Sequence, residues 1–134
     1  MSATEAPETG TQLKGNVLVV DDNEINRFLI KKILGKWGLS LDFAENGQLA
    51  VEKVLNKSFD ILLMDIQMPV LNGLEATRAI RENESYKDLP IIAITATILQ
   101  DDLDDIKAAG MNDFITKPFV PAELYDKLKS LLRK

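Results

Sequence analysis

Four short, largely apolar runs in this chain each stop at a polar residue: Val17 to Val20 at Asp21 and Asp22, Ile61 to Met64 at Asp65, Ile91 to Ile94 at Thr95, and Phe114 to Thr116 at Lys117. Apolar runs of this length, separated by amphipathic stretches, are the pattern of strands buried on both faces in a parallel sheet covered by helices. Parallel strands would bring three carboxylates, a hydroxyl and an ammonium to one edge of that sheet. Ligands of open α/β sheets bind there, outside the carboxyl ends of the strands, where the strand order reverses. The pattern therefore constrains the place of the function together with the fold.

The strand-plus-helix unit recurs five times after Gly15, which predicts an α/β fold with a doubly wound sheet. The first strand is Asn16 to Val20. Asn23 is suited to cap the helix that follows, in which Ile25, Leu29 and Ile33, and beside them Ile30, Leu34 and Trp37, recur at helical spacing. Gly35 and Gly38 end it. Leu39 to Ala44 alternates and so predicts an edge strand, and Asn46-Gly47 opens a helix reaching to about Asn56. The run Ile61 to Met64 is wholly apolar and predicts a central strand, with Pro69 and Asn72-Gly73 marking the loop before a helix over Leu74 to Glu82. Pro90 introduces a fourth strand, Ile91 to Ile94, and a helix from Leu99 to Ala109 stops at Gly110. The fifth strand is Asn112 to Thr116. Pro121 suits the first turn of a last helix whose buried face is Leu124, Leu128, Leu131 and Leu132.

With 134 residues, 46% of them apolar, the chain can bury a single core without covalent staples. Cysteine is absent, which excludes disulfides, thiolate metal sites and cysteine nucleophiles and agrees with a cytoplasmic location. Histidine is absent too. The chemistry must then run on carboxylates, hydroxyls and lysine, and any histidine in it comes from another molecule. A net charge of −5 repels a phosphate backbone and argues against direct nucleic-acid binding. No apolar stretch approaches the roughly 20 residues that span a bilayer. Met1 to Gly15 lacks both the basic start and the apolar centre of a signal peptide, and reads as a disordered leader or linker before a domain over 16–134.

Three crowded carboxylates repel, and some would protonate unless a cation sat among them. All-oxygen ligands suit a hard divalent ion, and Mg²⁺ in particular is held by one or two carboxylates, waters and phosphate oxygens. Asp65 is the best candidate for a reactive group, because a carboxylate beside Mg²⁺ can attack phosphorus and form an acyl phosphate. Thr95 and Lys117 could then stabilise charge on the transferring group. Each residue alone has a plainer reading: a helix cap for Asp21-Asp22, a turn for Asp65, a strand end for Thr95, a surface charge for Lys117. Their coincidence reverses that weighting. The acidic cluster Asp101, Asp102, Asp104 and Asp105 lacks the alternating spacing and glycine of an EF-hand loop and reads as helix-start acids favoured by the dipole.

At these residues the chain matches a family. Val17-Leu18-Val19-Val20-Asp21-Asp22-Asn23, Leu62-Leu63-Met64-Asp65-Ile66-Gln67-Met68-Pro69 with Asn72-Gly73, Ile92-Ala93-Ile94-Thr95-Ala96 and Thr116-Lys117-Pro118-Phe119 resemble, in order and spacing, the receiver domain of two-component response regulators. The run Asp21 to Arg27 is most similar to receivers attached to hybrid histidine kinases. The resemblance implies a flavodoxin-like sheet in the order 2-1-3-4-5, with Asp65 as phosphoacceptor. It implies Mg²⁺ ligated by Asp22, by Asp21 mainly through water, by Asp65 and by the backbone carbonyl of Gln67. Lys117 would bind a phosphoryl oxygen, and Lys117-Pro118 would be a cis bond.

The donor would be a phosphohistidine on a histidine kinase or a histidine-containing phosphotransfer protein. Thr95 and Phe114 would form the switch, with Phe114 standing where many receivers carry Tyr, and Gln67 and Thr97 would tune attack of water. The effector surface would be helix 4, strand 5 and helix 5, around Ile98, Leu103, Phe114 and Phe119. Such a domain assists its own phosphorylation and dephosphorylation and is not an enzyme acting on a separate substrate.

Rival readings meet specific residues. An aspartyl phosphatase would want a second Asp as general acid where Gln67 stands. A flavodoxin would not place Asp21-Asp22-Asn23-Glu24 at its phosphate turn, and no G-x-x-x-x-G-K-[ST] run exists for a nucleotide kinase. A degenerate receiver serving only as a docking module would have lost an acidic residue, Thr95 or Lys117, and none is lost.

Overall fold

In the computed structural model, which describes residues 13–68, 70–96, 100–117 and 120–132, every apolar run forms a strand. The elements follow in the order β1 (Asn16–Val20), α1 (Glu24–Gly35), β2 (Ser40–Ala44), α2 (Gly47–Asn56), β3 (Ile61–Asp65), α3 (Gly73–Arg81), β4 (Ile91–Thr95), α4 (Gln100–Ala109), β5 (Asp113–Thr116) and α5 (Pro121–Leu132), with a short 3₁₀ turn at Glu84–Tyr86. All strands are parallel and stand in the order 2-1-3-4-5, the flavodoxin-like arrangement. The order reverses between β1 and β3, so the crevice opens beside Asp21 and Asp65. The expected helix start at Leu99 falls outside the described residues.

Alternation along each strand divides the core in two. Val17, Val19, Ile61, Leu63, Ile92, Ile94 and Ile115 pack with Ile30 and Leu34 of α1 and with Leu124, Tyr125 and Leu128 of α5. Leu18, Val20, Leu62, Met64, Ile91 and Ala93 face the other way, onto Ala50, Val54, Ala76, Ile80 and Ile106 of α2, α3 and α4. On the first side Trp37 meets Tyr125 edge to face at 5.1 Å and joins the end of α1 to α5. Leu13 joins the same core, and its N–H donates to the Trp37 carbonyl at 2.8 Å.

One face of α1 departs from its sequence pattern. Ile25 and Leu29 are 69% and 48% exposed, as is Phe28 at 57%, whereas Ile30, Leu34 and Trp37 are buried and Ile33 is partly so. The helix therefore carries an apolar stripe on its outer side as well as its core side. Among the described residues no helix is long and apolar enough to cross a membrane.

Asparagines start the first three of the helices that leave the functional edge. Asn23, Asn46 and Asn72 each accept the N–H three residues on, and at α3 Glu75 returns the bond to the Asn72 N–H, a complete capping box. Gly73 then packs directly under β3. Its N–H donates to the Ile66 carbonyl at 2.8 Å, and a Cβ there would collide with the Asp65 carbonyl oxygen, a backbone atom with no room to give. Gly73→Ala is therefore expected to destabilise the chain by about 1–3 kcal/mol, the usual cost of overpacking, read as a lower urea midpoint; an unchanged midpoint would show that the loop above β3 is not held by this contact.

Candidate functional site

The carboxyl ends of β1, β3, β4 and β5 surround one cleft of about 200 Å³, lined by Asp22, Asn23, Asn26, Asp65, Ile66, Gln67, Thr95, Ala96 and Lys117. Each polar group arrives by strand geometry. Asp21 follows β1 directly, held by its N–H to the Ala44 carbonyl (3.1 Å) and by the Arg27 guanidinium on its own carbonyl (2.7 Å). Asp65 closes β3 and Thr95 closes β4; Lys117 leaves β5 with its N–H on the Thr95 carbonyl at 2.9 Å.

Carboxylate oxygens of Asp21, Asp22 and Asp65 lie within 4.8 Å of one another. Asp21 and Asp65 are 1% and 5% exposed, while Asp22 is open to solvent. The Lys117 ammonium bridges the buried pair, 3.2 Å from Asp65 Oδ2 and 3.8 Å from Asp21 Oδ2. The second distance is an ion pair without a hydrogen bond, and it leaves Asp21 Oδ2 buried with no hydrogen-bond partner among the described residues. Asp21 Oδ1, by contrast, accepts the Asn23 N–H at 2.9 Å. One ammonium among three carboxylates leaves net negative charge in a partly dry place, and an orphaned, buried, hard oxygen donor is what a divalent cation would complete. The donor set thus fits Mg²⁺.

Burial pushes the Asp65 carboxyl above the ordinary aspartate value of 3.8, with repulsion from Asp21 adding to the rise. Lys117 and the Gln67 N–H, both hydrogen-bonded to the carboxylate, oppose it without cancelling it.

Of the residues the sequence assigned to the reaction centre, Asp21, Asp22, Asp65, Gln67, Thr95 and Lys117 meet here. Phe114 does not line the cleft. It sits half-buried on the α4 side of edge strand β5, one strand over from Ala93, with the Lys127 ammonium 5.7 Å from its ring centre and that ammonium paired to Asp113 at 2.9 Å. Thr97, Ile98, Pro118 with its expected cis bond, and Phe119 fall outside the described residues. The cluster at Asp101 and Asp102 occupies the first turn of α4.

Sequence reasoning quoted Asn26 and Arg27 within the Asp21 to Arg27 run but gave neither a role. Asn26 lies in the first turn of the helix that Asn23 caps, and it lines the same cleft as Asp22.

The family model described as the response regulator receiver domain matches residues 17–129. Hybrid signal transduction histidine kinase I of Dictyostelium discoideum is 38% identical over all of this chain, which spans only 8% of that relative's length. Among solved structures, the receiver domain of sensor histidine kinase PA1611 from Pseudomonas aeruginosa, with magnesium coordinated in its active-site cleft, is 38% identical with a TM-score of 0.84, over 91% of this chain and 100% of that one. A complex of the Saccharomyces cerevisiae histidine phosphotransfer protein Ypd1 with the receiver domain of the response regulator Ssk1 matches at 34% identity and a TM-score of 0.82, over 88% of each chain.

Because its folded pKa is raised, Asp65 favours folding when protonated; that contribution is complete below about 3.8 and is lost as pH rises through the folded value. Without divalent cations, Asp65→Asn should therefore raise Tm at pH 7 by a few degrees, as about 1 kcal/mol moves Tm by roughly 3–6 °C at this size. The gain should shrink as pH falls toward 3.8. Calorimetry in chelator across that range tests this, and a variant less stable than wild type at every pH would refute it.

Proposed function

As this chain belongs to the response regulator receiver family, the receiver domain of two-component and phosphorelay signalling, we propose that Asp65 accepts a phosphoryl group from a histidine on a partner protein, with Mg²⁺ beside it. The observation that carries this reading is the buried pair Asp21 and Asp65, bridged by Lys117 at the mouth of one cleft with Asp22 alongside. Asp21, Asp22, Asp65 and the Gln67 carbonyl would hold the metal. When bound, it offsets the charge that a carboxylate and a phosphoryl group bring together.

The chain's own residues supply the rest. An Asp65 carboxylate oxygen bonds to phosphorus as the phosphorus–nitrogen bond breaks, and the electron pair stays with the donor imidazole. Raised basicity at Asp65 makes it a better nucleophile, while the Lys117 ammonium opposes that rise and faces a phosphoryl oxygen afterwards. Thr95 donates its hydroxyl to a further oxygen. Histidine does not occur in the chain, so the donor imidazole belongs to a kinase or a phosphotransfer domain. The exposed Ile25, Phe28 and Leu29 give such a domain an apolar surface on the helix whose Asn26 lines the cleft. We place the exchange in the cytoplasm, in keeping with a cysteine-free chain.

The output runs through Thr95 and Phe114. A phosphoryl group adds about 1.5–2 negative charges and three acceptor oxygens, drawing Thr95 toward Asp65 and letting the Phe114 ring turn inward. The surface that changes is α4, β5 and α5.

Intact mass after incubation with a small-molecule phosphodonor tests the acceptor. One phosphoryl adduct is expected, dependent on Mg²⁺ and lost in Asp65→Asn. No adduct on folded, metal-loaded protein would leave a docking-only module. Phe114→Ala should take up the group like wild type yet lose the phosphorylation-dependent change in partner affinity, measured by titration calorimetry; an unaltered response would remove Phe114 from the switch.

A further inference from the structure

The cleft contains a group with no part in the chemistry so far. Asn26 is half-buried in the first turn of α1 and lines the same cleft as Asp65, Gln67 and Lys117. Its backbone needs are met by Asn23, whose Oδ1 accepts the Asn26 N–H at 3.0 Å. Among the described residues its carboxamide makes no hydrogen bond within the protein, which leaves an acceptor oxygen and two N–H donors for whatever occupies the cleft.

Its neighbours are committed elsewhere. Lys117 is paired with Asp65 and Asp21; the Asn23 oxygen caps α1; Ile66 and Ala96 bring no polar side-chain atom. With the Thr95 hydroxyl assigned to the phosphoryl group and Asn23 to the helix cap, two neutral polar side chains remain on the lining, Asn26 and Gln67. Neutrality matters, because a carboxylate at the rim would repel a dianionic phosphoryl group. Gln67 is exposed and has one more side-chain torsion to fix. Asn26 is the better held of the two, since it rides on a capped helix tied to the site by the Arg27 guanidinium on the Asp21 carbonyl at 2.7 Å.

We infer that Asn26 is a positioning residue: its carboxamide oxygen accepts a hydrogen bond from the water that attacks the aspartyl phosphate, and so sets how long the phosphoryl group stays on Asp65. The inference rests on the phosphoacceptor reading. In the step, the water oxygen bonds to phosphorus, the bond from phosphorus to the Asp65 oxygen breaks with its electron pair returning to the carboxylate, and both water protons leave on dihydrogen phosphate. Asn26 takes no proton. It fixes the direction from which the water's lone pair meets phosphorus, opposite the departing carboxylate.

The test loads wild type and Asn26→Ala with a small-molecule phosphodonor in Mg²⁺, removes the donor, and follows loss of the adduct by intact mass. Mg²⁺ affinity and Tm are measured in parallel. The adduct of Asn26→Ala should live about tenfold longer, the factor for losing one ordinary hydrogen bond in the rate-setting step, with Mg²⁺ affinity and Tm close to wild type. A lifetime equal to or shorter than wild type would overturn the inference. So would a longer lifetime accompanied by weakened Mg²⁺ binding, which would assign the side chain to the metal, or failure of the variant alone to form the adduct. Absence of an adduct on wild type is a different result: it sinks the phosphoacceptor reading itself.

Discussion

Like-charge crowding at the carboxyl edge of the sheet is the constraint around which the rest of this structure is arranged. Asp21 and Asp65 are carried to the edge by β1 and β3, the two strands at which the sheet order reverses, so neither can move away without breaking a fully buried strand. The single ammonium between them, from Lys117, reaches one at hydrogen-bonding distance and the other only at 3.8 Å. Charge in a partly buried place is costly in proportion to what is left unpaired. The site is therefore poised to gain from any cation, and it is sensitive to any further anion added at Asp65.

That poise depends on a backbone that holds its shape against the repulsion. Gly73 lies so close beneath β3 that no side chain fits, and the capping box of Asn72 and Glu75 fixes the helix that carries it. On the other side of the crevice, Asn23 caps α1 and Arg27 fastens that helix to the Asp21 carbonyl. Rigid elements thus present the acidic groups, and the exposed loop residue Val70 takes the strain, with a φ of +70° that a β-branched side chain seldom adopts.

Much of this was legible in the chain. The four runs ending in Asp21, Asp65, Thr95 and Lys117 announced both the parallel sheet and its functional edge, because burial on two faces leaves a strand no choice but continuous apolar residues. The outer stripe of α1 was not legible. Ile25 and Leu29 share helical spacing with Ile33, and periodicity alone cannot say which of two adjoining apolar stripes meets the sheet; only packing against Leu34, Trp37 and Tyr125 decides it. The clash that forbids a side chain at Gly73 is equally hidden, since it involves a carbonyl eight residues earlier in the sequence. Asn26 was overlooked for a different reason: it belongs to no acid, base or nucleophile class, and only a three-dimensional cleft makes a neutral amide relevant.

Arg81 shows how a change at the edge would be channelled through the domain. Its guanidinium, half-buried and with its pKa lowered by desolvation against the pull of Asp88, donates to the carbonyls of Gly110 and Tyr86 and to Asn112 Oδ1 at 2.6–3.0 Å. Asn112 in turn accepts the Ile91 N–H at the start of β4. Positive charge at the carboxyl end of α4 agrees with the helix dipole, and the four bonds tie that end to α3 and to the roots of β4 and β5. The opposite end of α4 follows Thr95 in the chain and carries Asp101 and Asp102 in its first turn. On the proposed reading, a helix clamped at its far end would answer a new anion at Asp65 by moving its near end. Under the proposed switch the response falls on α4 and β5, beside Phe114 and the Lys127–Asp113 pair.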